Sequence, residues 1–325
     1  MSAVVAVALA IAALPSLAAR ARGGRPPNPG PKLAALAPVA ALLAVIAVIV
    51  AATARWWLAL LVAIPATPLA AWQLPPRRRT RDPVAAGPRP GSDRGPGVLT
   101  LRVLTLNVEG GSADPVAMLR SLRRHQVDVL AVQELTPEIV RLLADAGVAE
   151  LLPFWHLDPR PGSPGVGLWA RWPLVPLPPV PGLVAAAPRA RIDPAAGHPV
   201  TLTVVHPIAP VNGWEHQWQR ELALVQSALA DTDGPQVVAG DFNASRDHRP
   251  FRDILAAGFL DCADAARRRP WPGFTWPADR GIPSLMRLDH VLVSAELAAV
   301  PEARIIRLPG TDHCGVLAVI EFLVG

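Results

Sequence analysis

The stretch VVAGDFNASRDH, residues 237–248, is an apolar run that ends in Gly240, Asp241, Phe242 and Asn243. Side chains alternate across a strand, so residues two apart share a face. A strand finishing here would direct Asp241 and Asn243 the same way at its end, the kind of place where α/β sheets bind ligands. The same letters also fit a strand followed by an Asx-type turn. The stretch alone leaves both readings open; the rest of the chain decides.

From Val98 onward, strand and helix patterns alternate. LTLRVLTLNV (99–108), VDVLAVQEL (127–135), GVGLWAR (165–171), PVTLTVVHP (199–207) and PQVVAGDFN (235–243) read as strands. TWPADRGIPSLMRLDHVLVS (275–294) and GVLAVIEF (315–322) are expected to supply the closing strands. DPVAMLRSLRRHQ (114–126) has helical spacing, with Asp114 at an N-cap position and Pro115 in the first turn. TPEIVRLLADAG (136–147) and WEHQWQRELALVQSALAD (214–231) are the other expected helices. Strands alternating with helices predict an α/β domain with at least one substantial sheet.

Polar residues recur where these strands end: Asn107, Gln133 with Glu134, His206, Asp241 with Asn243, Asp289 with His290, and Asp312 with His313. Each alone could be a cap, a turn or a surface group. Six such places in one domain are hard to assign to turns alone, because strand ends let a scaffold converge side chains from distant segments. Carboxylates and carboxamides without a cysteine ligand favour a hard cation, Mg²⁺ or Mn²⁺. Histidines with aspartate partners can orient a phosphoryl group, and an Asp beside an Asn can position a water. Metal-assisted phosphoester hydrolysis uses these parts.

LNV (106–108), QE (133–134), VVHP (204–207), GDFN (240–243), LDHV (288–291) and TDH (311–313) resemble, in order and spacing, the endonuclease/exonuclease/phosphatase family with the DNase I-like fold. The likeness covers residues 99 to about 323. It implies a four-layer α/β/β/α sandwich, two packed mixed sheets with helices outside. It implies Glu134 as principal metal ligand, with Asn107 beside it and Asp312 near the metal. It implies Asp241 as the residue that orients or deprotonates the attacking water, helped by Asn243. His313 would contact the phosphate, held by Asp289, and His206 is the acid expected for the leaving group. The abasic-site branch uses an active-site tyrosine, and this chain contains no tyrosine. Thr311 stands where serine is more usual. His290, Cys314, His216 and His248 are expected to be structural or solvated.

The N-terminal third differs in kind. Residues 2–19, 33–54 and 56–74 are apolar and uncharged, and each approaches the roughly 20 residues that a membrane span needs. Trp56 and Trp57 suit the headgroup belt. Residues 2–19 also fit a cleavable signal peptide, with LAARA as a small-residue site, although no basic stretch precedes them. Residues 75–97, rich in Pro, Gly and Arg, read as a linker to a catalytic domain at 98–325. Spans, linker and domain together resemble the membrane-anchored bacterial branch of the family, including VanJ-like teicoplanin-resistance proteins. That likeness implies a lipid bilayer as partner and a small or lipid-linked phosphate or pyrophosphate as substrate.

Charge divides along the same boundary. Residues 1–97 hold ten Arg and one Lys against two Asp, net +9, whereas residues 98–325 hold twenty Arg against twenty-four Asp and Glu, net −4. Long nucleic acids are usually held by a basic face. The acidic domain therefore favours a phosphatase or phosphodiesterase over a nuclease, which stays the alternative. Cys262 and Cys314 match neither metal spacing nor a disulfide framework. The arginine clusters at 20–25 and 77–81 share one side if there are three spans, and the positive-inside rule makes it cytoplasmic. The branch resemblance implies the opposite side, so the sequence leaves the side open.

Overall fold

The computed structural model describes residues 2–24, 29–54, 97–195, 197–268, 270, 273–295 and 298–324. The expected span at 56–74 and nearly all of the linker lie outside the described residues. Three N-terminal helices, α1 (Ser2–Ala21), α2 (Gly30–Ala35) and α3 (Ala37–Ala54), precede the domain. The single span expected over 33–54 is instead broken at Leu36. Pro38 is the cause: it has no N–H to give the carbonyl four residues back, and it stands in the first turn of α3, where that N–H is not needed. Among the described helices, Val4–Ala21 is long and apolar enough to cross a membrane, with mean hydropathy 2.0, and Ala37–Ala52 is apolar but shorter.

Two six-stranded sheets form the domain. The first runs β11 (Ala298–Ile306), β12 (Gly315–Val324), β1 (Gly97–Asn107), β2 (Val129–Gln133), β4 (Val166–Ala170), β3 (Phe154–Asp158). The second runs β5 (Val175–Leu177), β6 (Arg189–Ile192), β7 (Val200–Val205), β8 (Gln236–Asp241), β10 (Asp289–Ser294), β9 (Phe259–Asp261). Both are mixed: β1 and β2 pair in parallel, as do β7 and β8, and the other pairings are antiparallel.

Strand alternation sets the layers. Leu101, Val103, Val129 and Ala131 meet Leu202, Val204, Val237 and Ala239 in the core between the sheets. The intervening residues face outward. Leu104, Leu106, Leu130 and Val132 bury the apolar faces of α4 (Pro115–His125) and α5 (Pro137–Asp145). Val205, Val238 and Leu292 receive α6 (Glu215–Ala230) and α7 (Arg249–Ala256). Caps fix the helix starts: Asp114 accepts from Val116 N and Ala117 N, and Thr136 from Ile139 N.

The expected strand region 275–294 is shorter than anticipated. Only Asp289–Ser294 forms a strand, and the preceding segment is a loop pinned by a bridge between Trp276 and Met286. Pro277, Gly281 and Pro283 account for this, since proline cannot donate to a ladder and glycine weakens one.

Candidate active site

Two parallel strand pairs, β1–β2 and β7–β8, lie at the centres of their sheets, and their carboxyl ends meet at one rim of the inter-sheet core. The inward-facing series Leu101, Val103, Thr105 continues to Asn107. Leu202 and Val204 continue to His206, and Val237 and Ala239 to Asp241. Asp289 begins the series that runs on through Val291 and Val293. The rule that packs the core thus delivers four polar side chains to its edge. All four are buried.

Asn107 sits between two carboxylates. Its Nδ2 donates to Glu134 Oε1 and to Asp241 Oδ2, at 3.1 Å each. Its Oδ1 accepts from Glu109 N at 2.9 Å, and Gly110 N donates to Glu134 Oε2 at 2.8 Å. Asp241 Oδ2 lies 3.7 Å from the Nε2 atoms of both His206 and His313. Asp241 Oδ1 accepts from Asn243 N at 2.8 Å, which is an Asx turn. The strand stops at Asp241, so Asn243 does not share its face by alternation. The turn places Asn243, whose Nδ2 donates to Pro207 O at 3.0 Å. The Asx-turn reading of GDFN is therefore the one realised, and the turn rather than strand alternation brings Asn243 beside Asp241.

Glu109, Glu134 and Asn243 all have left-handed backbone, with φ of 48°, 57° and 47°. Side chains rarely adopt this region, and such residues concentrate where structure over-determines them, at functional sites among other places.

His313 Nδ1 donates to Asp289 Oδ2 at 2.9 Å, and its backbone N–H reaches Thr311 Oγ1 at 3.2 Å. Thr311 in turn bonds Asn107 O at 2.7 Å, which ties this loop to β1. Burial works against charge on His313, but Asp289 and Asp241 outweigh it and raise its pKa to about 10. Burial also raises Asp289, opposed by His313 and reinforced by Asp241. Both shifts mean that the Asp289–His313 pair holds a proton at neutral pH. His206 Nδ1 lies 3.2 Å from Ser163 O, which makes Nδ1 the protonated nitrogen and turns Nε2 toward Asp241.

Asp312 lies further out. Its Oδ1 is 3.9 Å from His313 Nε2, and its Oδ2 accepts from Trp276 Nε1 at 3.2 Å. Arg280 pairs with Glu109 and lies 3.9 Å from Asp312. Ligand atoms of Asp241, Asp289 and His313 fall within 4.8 Å of one another, close enough to hold an ion. A histidine that retains its proton is a poor ligand, however, and Glu134 suits a cation better. Among the described residues no Arg, Lys or His lies in ion-pair reach of Glu134. Its carboxylate and that of Asp241 flank one carboxamide, a hard-oxygen donor set that fits Mg²⁺ or Mn²⁺.

Sequence reasoning missed Glu109, Trp276, Arg280 and the Ser163 carbonyl, all of which touch the group from loops. Only Glu109, two residues past Asn107, carried any signal. His290 bonds Asp261 and Ala244 O, His248 is buried, Cys314 is buried, and His216 is exposed on α6, in line with structural or solvated roles. A cavity bordered by Arg246, Arg252, Phe259 and Asp264 contains none of the expected site residues.

Several solved structures share this architecture. An endonuclease/exonuclease/phosphatase family protein from Leptotrichia buccalis is 19% identical and covers 68% of this chain and 100% of its own, with a TM-score of 0.55. D. rerio TDP2 complexed with single strand DNA product is 19% identical, covering 68% and 98%, with a TM-score of 0.54. The human Nocturnin catalytic domain with bound sulfate anion is 18% identical, covering 70% and 97%, with a TM-score of 0.52. Likeness at these identities concerns the fold. No curated protein matches the chain. Residues 104–313 match the Endonuclease/Exonuclease/phosphatase family. The match spans well over half of the chain and holds every residue of the cluster around Asp241, and on it the protein belongs to that family.

Proposed function

We propose that this protein is a membrane-anchored, divalent-metal-dependent phosphoester hydrolase acting on a small or lipid-linked phosphate or pyrophosphate. One observation carries the hydrolytic reading: Asp241 Oδ2 is 3.7 Å from two histidine Nε2 atoms and 3.1 Å from the Asn107 amide that also holds Glu134. Family membership implies metal-dependent phosphoester hydrolysis. Glu134 and Asn107 would hold the cation, with Asp312 nearby. When bound, it would polarise a phosphoryl oxygen and offset its charge.

The chain's own residues supply the rest. Asp241 orients an attacking water and takes its proton, while Asn243 and Asn107 fix the carboxylate's direction. The protonated His313, held by Asp289, donates to a phosphoryl oxygen as negative charge builds there. His206 Nε2, 3.7 Å from Asp241 Oδ2, is placed to receive the proton that Asp241 takes from the water and to pass it to the leaving oxygen.

The bilayer reading rests on the N-terminal helices. Ala13 and Leu17 of α1 pack on Ala40 and Ala44 of α3, while Val4, Ile11, Leu14, Leu42, Ile46 and Ile49 point outward and are exposed. An apolar surface around a helix pair is what lipid would cover. Packing of α1 against α3 also favours a retained anchor over a cleaved leader. These features agree with the VanJ-like branch.

The test supplies the full-length protein with a lipid pyrophosphate in mixed micelles and, separately, with plasmid DNA, both with Mg²⁺. Phosphate release from the lipid is the expected result. Plasmid nicking without phosphate release would make the protein a nuclease.

A further inference from the structure

The segment that follows Asn243 runs directly into the N-terminal helices. Asp247 Oδ1 lies 2.5 Å from Arg20 Nε at the end of α1, and both side chains are buried, at 1% and 2% exposure. Arg249 N, opening α7, donates to Gly23 O at 2.8 Å. His248 is buried between the two parts. Ser245 N donates to its Nδ1 at 2.9 Å, so Nε2 carries the proton and donates to Pro31 O at 2.7 Å. The Trp218 ring meets the His248 ring edge-on at 5.1 Å.

These contacts have the marks of a built interface. Two opposite charges are withdrawn from water together, and their mutual attraction offsets the cost of burying them. The backbone groups on both sides are paired. Gly23 and Gly24 have φ of +78° and +62°, and a Cβ on them would lie 2.7 Å from Arg249 Cβ and 2.6 Å from the His248 ring. Only glycine permits that turn and that approach.

We infer that the turn after α1, together with α2, is a docking element for the catalytic domain, with Arg20, Gly23 and Pro31 gripping Asp247, His248 and Arg249. The active-site loop is thereby locked to the base of the helix pair, and the domain does not trail on the chain beyond α3. Where α1 and α3 cross a bilayer, as the anchor reading holds, Gly23 and the active site occupy the same face of it.

Hydrogen exchange of the full-length protein in detergent tests the docking without reference to any activity. Arg20→Ala and Gly23→Val change residues of the helix pair and leave the domain's own sequence intact. Each is expected to speed exchange of the Arg249 amide by about tenfold or more, with the amides of β8 unchanged as the internal control. Unaltered exchange at Arg249 in both variants would overturn the docking. A second arm labels Arg22→Cys and Val175→Cys proteins with an impermeant maleimide in sealed vesicles. Arg22 and Val175 are exposed, and the native Cys262 and Cys314 are buried. Both positions are expected to react from the same side. Reaction from opposite sides would overturn the shared face while leaving the hydrolase reading untouched.

Discussion

The chemistry rests on a few named atoms. Asp241→Asn, Asn243→Ala and His313→Ala are each expected to lower kcat by about 10²-fold or more, on the order of 3 kcal/mol of transition-state stabilisation. Steady-state kinetics checks this, with circular dichroism to confirm folding. At the same scale, His248 makes stability depend on pH. Burial leads the effects that lower its pKa from 6.5 to about 4, with Arg252 and His290 also opposing charge and the Pro31 carbonyl on Nε2 opposing the shift. The folded state therefore resists a proton that the unfolded chain accepts. Stability is full above pH 6.5 and falls as pH drops toward 4, by about 3 kcal/mol. Thermal unfolding of wild type against His248→Gln across that window should show a shallower acid loss in the variant. Asn107, His206, Asp241 and Asp289 were legible as residues because they lie in register with an apolar alternation that sequence displays. Glu109, Trp276 and Arg280 were not, because they reach the site from loops with no period to follow.

Elements set where those atoms stand. Gly240 pairs with Val205 across the parallel β7–β8 ladder, and a Cβ there would fall 1.9 Å from the Val205 carbonyl oxygen. Gly240→Ala should push β8 from β7, costing about 1–3 kcal/mol, and displace the adjoining Asp241 enough to cut kcat. Thermal unfolding and kinetics on one preparation check both effects. Central strands were legible because burial on two faces makes them continuously apolar, as in VVAG and VLAVQ. The four edge strands, β3, β5, β9 and β11, escaped notice, and so did the four-residue β6 inside the second sheet. β5 and β9 have three residues each, and β3 exposes Phe154 and Trp155, so neither length nor alternation marks them. Helix α7 was missed for a related reason: eight residues beginning Arg-Pro offer barely two turns of pattern. The break at Leu36 was legible in Pro38 and was passed over because hydropathy windows average across it.

For the whole molecule, charge and hydropathy divide the chain in two, and the structure joins the parts through Arg20, Gly23 and Pro31. No sequence period announces that junction, since an arginine at the end of an apolar helix reads equally well as a topology signal. The fold was legible because six short motifs fall in order along one domain, and their convergence on Asp241 follows from that fold. The central claim is that this convergence hydrolyses phosphoesters with a divalent cation held beside Glu134. Its most direct measurement is turnover of bis(p-nitrophenyl) phosphate by the purified full-length protein, in Mg²⁺, in excess EDTA, and in EDTA after Mg²⁺ is restored, with Glu134→Gln and Asp241→Asn alongside. The account predicts turnover that EDTA abolishes and Mg²⁺ restores, a raised Mg²⁺ requirement in Glu134→Gln, and a loss of about 10²-fold or more in Asp241→Asn. Equal turnover in EDTA, or an undiminished Asp241→Asn enzyme, would contradict it.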